Sequence, residues 1–113
     1  MVSEITDNEE LNKNIRSGKW LVCYYATWCS HCQNMADAWE QLENKTRENR
    51  LNITVIKIEQ KNITDQTISG YPTIKYVENG ISEDYTGERT TDAMYAFIKK
   101  QHTLCTTCGK MRK

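Results

Sequence analysis

Hydrophobic residues fall into short runs along this chain, separated by polar segments that contain turn-forming residues. The run at residues 21–26 is apolar almost throughout, which is typical of a strand buried on both faces, and the run at 53–58 predicts a parallel neighbour. The runs at 73–78 and 81–86 flank Asn79-Gly80, the strongest short signal for a hairpin. The chain is therefore predicted to contain a mixed sheet with an antiparallel hairpin.

Helical patterns alternate with these strands. Asp7 begins a capping-box pattern that predicts a helix to about residue 15, and Gly18 ends that helix. A helical composition follows the first buried strand, over residues 30–45. Thr90 caps a last helix whose apolar positions recur at helical spacing, namely Met94, Phe97 and Ile98. A short strand at 2–5 and a short helix at 63–68 are also expected. The order β-α-β-α-β-β-α predicts an α/β fold with helices on both faces of the mixed sheet.

Length and charge narrow the class of protein. At 113 residues the chain has the size of one small domain, which buries roughly two thirds of the surface of its unfolded chain. We place this domain at residues 1–102 and a polar C-terminal tail at 103–113. The 15 basic and 15 acidic residues cancel, which removes the electrostatic reason to expect nucleic acid or an anionic membrane as a partner. A monomer whose partners are proteins is expected.

Two cysteines, Cys29 and Cys32, lie two residues apart where the first buried strand gives way to the predicted long helix. At a helix start, unpaired amides and the positive end of the dipole favour the thiolate of Cys29. His31 can add a hydrogen bond or a positive charge. Cys32, one turn into the helix, is the predicted resolving thiol. The alternative for a bare Cys-x-x-Cys is a zinc half-site, and the surrounding residues argue against it.

Three motifs in the same order resemble the thioredoxin superfamily, and within it a protein disulfide isomerase catalytic domain more than a plain thioredoxin. The segment Trp28–Cys32 has the isomerase form of the active site, where thioredoxins carry Gly-Pro between the cysteines. Residues 70–75 resemble the family's cis-proline segment, and residues 85–89 resemble its final strand and loop. The likeness covers nearly the whole chain. It implies a thioredoxin-like fold with a Cys29-Cys32 disulfide as the redox centre, and no cofactor or metal.

The resemblance also implies roles for residues around the two cysteines. Pro72, the single proline of the chain, would follow a cis peptide bond that places its loop against the cysteines. The backbone of Tyr71 would pair with an extended substrate segment as a short added strand, and Trp28 would join it in substrate binding. Arg89 matches a loop arginine that lowers the pKa of the second cysteine in isomerase domains. The alternative for Arg89 is a solvated loop residue.

Cys23 is a departure from the family pattern, which has a buried Asp or Glu at this position that shuttles a proton to and from the resolving thiol. Lys57 matches the lysine that partners that acid. We interpret Cys23 as an inert buried hydrophobic residue, with a third redox thiol as the alternative. Proton transfer to Cys32 would then rely on water or on His31.

A second Cys-x-x-Cys, formed by Cys105 and Cys108, lies past the last predicted helix. Three interpretations stay open. The pair is a relay that passes electrons to or from Cys29 and Cys32, or a flexible tail with ordinary thiols. The third is a set of three zinc ligands together with His102, which would need a fourth ligand from a dimer or a partner.

The predicted function is that of a thiol-disulfide oxidoreductase of the oxidase or isomerase type, which acts on protein substrates and exchanges electrons with a donor or acceptor protein. A cytosolic, thioredoxin-like disulfide reductase is one alternative. A non-catalytic thioredoxin-like binding or structural module is an alternative of another class. The sequence shows no signal peptide, no apolar run of roughly 18–20 residues and no KDEL-type signal. The expected location is the cytoplasm, or a virion or organelle with its own disulfide pathway.

Overall fold

One mixed sheet forms the centre of the molecule, in a computed structural model that describes residues 4–63, 68 and 70–107, with side chains described through residue 101. The described residues form four paired strands, in the order β2-β1-β3-β4. They are β1 (Lys19–Tyr25), β2 (Thr54–Glu59), β3 (Thr73–Glu78) and β4 (Ile81–Asp84). Strand β1 pairs parallel with β2 and antiparallel with β3, and β3 pairs antiparallel with β4. Because β1 has a neighbour on each side and helices over both faces, its middle four residues are buried in succession.

In the described part of the chain, three α-helices cover the two faces of this sheet: α1 (Asn8–Asn14), α2 (Ser30–Glu48) and α3 (Thr91–Thr107). Leu11 of α1 packs with Val22 and Tyr24 on one face of β1. Helices α2 and α3 lie on the opposite face, where their side chains pack with alternate residues of β1 and β3. That second cluster includes Leu21, Trp39, Leu42, Ile74, Tyr76, Met94 and Ile98. The prediction of helices on both faces of a mixed sheet is confirmed.

Helix α2 carries its buried residues on one stripe. Positions three or four apart face the sheet, and they are Cys32, Met35, Trp39, Leu42, Glu43 and Thr46. The residue that caps its start is Cys29, whose backbone is extended, with φ −88° and ψ 117°. The stripe thus anchors the helix so that Cys32 points toward the sheet and Cys29 stands at the end of the helix.

The hairpin between β3 and β4 forms at the predicted turn. Both central residues have left-handed backbones, with φ 52° at Asn79 and 87° at Gly80, as a type I′ turn requires. The side chain of Asn79 accepts a hydrogen bond from Gly18 N–H at 2.9 Å, and Asn79 N–H donates to Gly18 O at 2.9 Å. These two bonds tie the hairpin to the turn that precedes β1.

Three predicted element boundaries differ from the structure. In the expected strand at 2–5, Glu4 forms only an isolated bridge with Lys57, and residues 1–3 lie outside the described part. A 3₁₀ turn at Gln60–Asn62 lies just before the expected helix at 63–68, whose first residue, Ile63, is extended and whose residues 64–67 are not described. Helix α3 continues to Thr107, so the backbone at position 105 is helical and does not lie past the last helix as predicted. The domain division at 102/103 stays a prediction.

Replacing Gly80 with alanine should lower the free energy of unfolding by about 1–2 kcal/mol, the usual strain of a side chain in the left-handed region. A Cβ at Gly80 would lie 3.7 Å from Arg16 O, an ordinary contact, so the loss would come from backbone strain. Urea denaturation measures the change. Gly70→Ala is the matched control, because its φ lies outside the left-handed range and nothing lies within 4 Å of an added Cβ. Equal losses in both variants would contradict the assignment of strain to this turn.

Candidate functional site

Cys29 is held at the start of α2 by backbone hydrogen bonds on both sides. Its N–H donates to Ala26 O at 3.1 Å, and its carbonyl accepts from Gln33 N–H at 3.1 Å. Its sulfur accepts a hydrogen bond from Cys32 N–H at 3.3 Å, and so fills the capping position that an Asp or Ser oxygen fills in other helices. The thiol is therefore fixed on the positive end of the helix.

The two thiols of this motif are free and lie close together. Cys29 and Cys32 are each 7% exposed, and they cluster with Ala26. This burial removes much of the water that would stabilise a charge on either sulfur. The environment of each thiol therefore decides its ionisation.

The pKa of Cys29 lies below the usual value for a thiol. The Cys32 thiol donates a hydrogen bond to its sulfur, the backbone N–H groups of Cys32 and His31 add further hydrogen bonds, and the Arg89 guanidinium contributes positive charge. These effects together outweigh the partial burial, which acts in the opposite direction. Cys29 is therefore the thiol that ionises first, as the sequence predicted.

Cys32 has the opposite tendency. Its pKa is raised to about 11, mainly by burial and also by the hydrogen bond and charge of the neighbouring Cys29. The backbone of Ala26 and the charge of Arg89 act against this increase. The pair thus joins one thiol that ionises more readily than usual to one that ionises less readily, which is the arrangement expected of a nucleophile and a resolving cysteine.

The loop before β3 forms the wall beside Cys29. The peptide bond between Tyr71 and Pro72 is cis, as predicted. The Cys29 thiol donates to the carbonyl oxygen of Tyr71, with the sulfur 3.2 Å from that oxygen. Trp28 is 68% exposed and meets the Tyr71 ring edge to face at 5.9 Å between centroids. An exposed aromatic side chain next to a reactive sulfur offers a surface on which a substrate can rest.

Arg89 lies on a loop whose shape is set by the preceding residues. The Tyr85 hydroxyl donates to Glu88 O, and the Tyr85 ring packs on Phe97 with 5.0 Å between centroids. A Cβ at Gly87 would come within 2.7 Å of the Tyr85 oxygen, so only glycine permits this approach. Arg89 is exposed, yet its charge lowers the pKa of both active-site thiols. The placement therefore favours the functional interpretation over a loop residue without a role.

Cys23 lies in β1 beneath these thiols. It is 4% exposed and is paired in register with Lys57 on β2. Burial raises the pKa of the Cys23 thiol to about 12, and the charge of Lys57 acts in the opposite direction. A thiol with this pKa is protonated at neutral pH, which favours the interpretation of Cys23 as an inert buried residue. Lys57 itself is half-buried, with its ammonium 4.8 Å from the centre of the Tyr25 ring.

The structure brings together most of the predicted site residues. The Trp28 and Tyr71 rings are in contact, Tyr71 packs against the cluster that holds Cys29 and Cys32, and Pro72 follows Tyr71 in the same loop. The charge of Arg89 acts on both thiols. The imidazole of His31 is exposed, and the contribution of this residue to Cys29 comes through its backbone N–H. The hydrogen bond from the Tyr85 hydroxyl to Glu88 O was not predicted from the sequence. The closeness of Tyr85 and Gly87 in the sequence is the signal that could have revealed it.

Several expectations fall outside the described side chains. The side chains of His102 and Cys105, and the whole of Cys108, are among them, so their roles stay predictions. Within the described residues, no group of three or more His, Cys, Asp or Glu side chains is placed to hold a metal ion. The helices among these residues are also too short or too polar to span a bilayer.

Comparisons with known proteins point to one family. The family model described as Thioredoxin matches residues 2–100. A thioredoxin domain-containing protein 5 homolog of Drosophila melanogaster is 32% identical over 104 residues, which cover 86% of this chain and 25% of that protein. Protein disulfide-isomerase A4 of Bos taurus is 36% identical over 84 residues, which cover 71% of this chain and 13% of that protein. The chain thus spans a quarter or less of the length of these relatives.

Solved structures agree with the sequence comparisons. The first thioredoxin domain of mouse Protein disulfide-isomerase A4 matches with a TM-score of 0.75 and 27% identity, over 88% of this chain and 79% of that one. The human ERp44 zinc-bound form matches with a TM-score of 0.78 and 23% identity, over 89% of this chain and 31% of that one. At that identity the second likeness concerns the fold alone. The predicted thioredoxin-like fold is confirmed.

The opposite pKa shifts predict selective alkylation of the two thiols. Iodoacetamide should modify Cys29 at neutral pH, because its pKa is lowered and the thiolate is the reactive form, whereas Cys32 should react appreciably only as the pH approaches about 11. Mass spectrometry of peptides after timed alkylation measures both rates against pH.

Arg89→Gln should move the Cys29 profile to higher pH, since a positive charge that favours the thiolate is removed. Arg16→Gln is the control, because Arg16 is exposed in the turn after α1, which packs on the opposite face of the sheet from α2. If Arg16→Gln shifted the profile as far as Arg89→Gln, the effect would be one of net charge and not of position.

Proposed function

This chain belongs to the thioredoxin family, and we propose that it is a thiol-disulfide oxidoreductase that exchanges disulfides with protein substrates through Cys29 and Cys32. The observation that carries the proposal is the placement of two free thiols at the start of α2, where Cys29 caps the helix and Cys32 lies on its buried stripe, because this placement shifts their pKa values in opposite directions. A non-catalytic binding or structural module has no need of a stabilised thiolate beside a protonated thiol. The relatives that are named protein disulfide-isomerases support the same class of activity.

In the first step, the Cys29 thiolate attacks one sulfur of a substrate disulfide. The sulfur-sulfur bond of the substrate breaks, its second sulfur leaves as a thiolate, and a mixed disulfide joins Cys29 to the substrate. As a thiolate, Cys29 no longer donates to the carbonyl of Tyr71, which it contacts at 3.2 Å as a thiol. The carbonyl is then available to the backbone of the substrate.

In the second step, Cys32 loses its proton and attacks Cys29, which releases the reduced substrate and closes the Cys29-Cys32 disulfide. The first step itself prepares this one. The hydrogen bond and charge of Cys29 raise the pKa of Cys32, and both contributions fall away once Cys29 is in a mixed disulfide and carries no charge. The Arg89 charge and the Ala26 backbone, which act in the other direction, remain in place.

Substrates are bound mainly through their backbones. An extended segment pairs with the main chain of Tyr71 as a short added strand, and the exposed ring of Trp28 covers it from the side. Main-chain pairing depends on the extended shape of the segment and little on its side chains. We therefore expect a broad range of protein substrates that present an accessible disulfide or thiol.

The direction of electron flow depends on whether the reduced form or the disulfide form of Cys29 and Cys32 is more stable. Hydrogen bonds and positive charge around Cys29 stabilise the reduced, ionised form, and a stabilised reduced form makes a disulfide more oxidising. We therefore favour an oxidase or isomerase over a thioredoxin-like reductase. The electron-donor or acceptor partner, the monomeric state, the compartment and a relay through Cys105 and Cys108 stay predictions.

Replacing the resolving thiol should trap the substrate. Cys32→Ser should accumulate covalent complexes with disulfide-containing proteins, because Cys29 still attacks and nothing resolves the product, whereas Cys29→Ser should not. Non-reducing gels of each variant incubated with a disulfide substrate provide the measurement, and Cys23→Ser is the control for a cysteine outside the pair. Complexes that form with Cys29→Ser and not with Cys32→Ser would reverse the roles assigned here.

The reduction potential should lie nearer the isomerase value of about −180 mV than the thioredoxin value of about −270 mV, a gap worth roughly 4 kcal/mol for two electrons. His31→Pro should move it toward the thioredoxin value, because proline has no backbone N–H to donate to the Cys29 sulfur. Equilibration with glutathione buffers measures both. A native value below about −250 mV would make the protein a reductant.

A further inference from the structure

A cavity of about 210 Å³ lies beside the resolving thiol, and Cys32 is one of the residues that line it. It has room for several water molecules at about 30 Å³ each. Its lining includes Thr27, Gln33 and Ala36, which are exposed to solvent, as well as the buried Cys32 and Met35. The cavity therefore connects Cys32 with solvent.

The lining of this cavity offers Cys32 no side chain that readily takes up a proton. Asp, Glu and His are missing from the described residues that line it. The Lys57 ammonium is a donor only, and burial raises the pKa of the Cys23 thiol to about 12, so Cys23 keeps its own proton at neutral pH. The imidazole of His31 is exposed, and His31 does not line the cavity. Water in the cavity is therefore the proton acceptor within reach of Cys32.

The side chain of Gln33 is fixed at the rim of this cavity. Its Nε2 donates a hydrogen bond to Thr27 O at 2.7 Å, and both residues line the cavity. Because a carbonyl oxygen only accepts, the amide nitrogen must be the atom that faces Thr27, which leaves Oε1 as the second polar atom of the group. That oxygen has no donor among the described residues. It is therefore available to a water molecule at the rim.

We propose that the cavity carries the Cys32 proton to solvent during resolution, and that Gln33 is the positioning residue for the water that accepts this proton. The water donates one hydrogen bond to Gln33 Oε1 and accepts another from the Cys32 thiol. Hydrogen bonds in a chain polarise one another, so a water that donates to a fixed oxygen is a better acceptor for the thiol. The inference rests on the proposed function, because it concerns its second step.

The resolving step then balances without any further reactant. The Cys32 thiol gives its proton to the positioned water while its sulfur forms a bond to the Cys29 sulfur. The bond between Cys29 and the substrate sulfur breaks, and that sulfur leaves with the electron pair as a thiolate. The proton passes through the cavity to solvent, and the departing thiolate takes up a proton from solvent. The substrate disulfide is reduced and the two cysteines are oxidised.

Stopped-flow kinetics with a symmetric, chromophoric aryl disulfide separates the two steps, because one aryl thiolate is released when Cys29 attacks and a second when Cys32 resolves. Gln33→Leu keeps the apolar stem of the side chain and removes the amide. It should slow the second release several-fold and leave the first unchanged, which also shows that the variant is folded. Gln41→Leu is the matched control, since Gln41 is exposed on α2 and does not line the cavity.

Chemical rescue separates a lost proton path from a structural role of Gln33. Imidazole, added at constant pH and ionic strength, accepts protons itself and should raise the second release of Gln33→Leu toward the native rate. Ala36→Leu adds bulk to the lining of the cavity and should also slow the second release. Imidazole should not restore that variant, because the space it needs is filled. Ala96→Leu, on the exposed surface of α3, is the control and should behave as the native protein.

Two results would each overturn the positioning role: a second release that Gln33→Leu leaves unchanged, or a slow release in this variant that imidazole does not restore. An unchanged second release in Ala36→Leu would overturn the cavity as the proton path. The proposed function fails separately, if the native protein releases no aryl thiolate or only one. A native protein that releases both, with variants that match it, would keep the function and lose the proton path.

Discussion

The placement of Cys29 at the first turn of α2 is the constraint on which the rest of the site depends. A helix start has N–H groups without partners inside the helix, and the Cys29 sulfur accepts one of them from Cys32 at 3.3 Å. The position of that turn is fixed elsewhere, by the buried stripe that runs from Cys32 through Trp39 to Thr46 and packs α2 on the sheet. The reactivity of the thiol is therefore a consequence of how the helix packs.

The same geometry separates the two cysteines by function. Cys32 is the first residue of the buried stripe of α2, so the packing of the helix turns it toward the sheet. Cys29 precedes the first turn and caps the end of the helix. One sulfur then receives the hydrogen bonds of the helix start, and the other loses its water. The opposite pKa shifts need no further residue to produce them, and Arg89 from a separate loop adjusts both in the same direction.

How far the sequence predicts this structure depends on whether the signal is local. The Asn79-Gly80 turn, the apolar run of β1 and the Cys-x-x-Cys at a helix start are local patterns, and all three lie where the sequence placed them. The end of α3 was misplaced, because a helix boundary depends on tertiary contacts that no short segment encodes. The cavity beside Cys32 could not be predicted at all. It arises where side chains from β1, β2 and α2 leave a space. Nothing in the sequence indicates that the indole N–H of Trp39 has no acceptor among the described residues.

The lifetime of the mixed disulfide connects these features to the kind of reaction favoured. Even after the charge of Cys29 is gone, burial continues to oppose ionisation of Cys32, and burial is the largest cause of its raised pKa. The groups that favour ionisation of Cys32 are the backbone N–H of Ala26 and the guanidinium of the exposed Arg89, and neither can accept a proton. A resolving thiol without a proton acceptor of its own leaves the substrate attached for longer. During that time a second thiol of the substrate can attack the mixed disulfide in place of Cys32, which rearranges the disulfides of the substrate without net oxidation or reduction. On the function proposed above, slow resolution would favour isomerisation over reduction, and the group that accepts the Cys32 proton would shift the balance between the two.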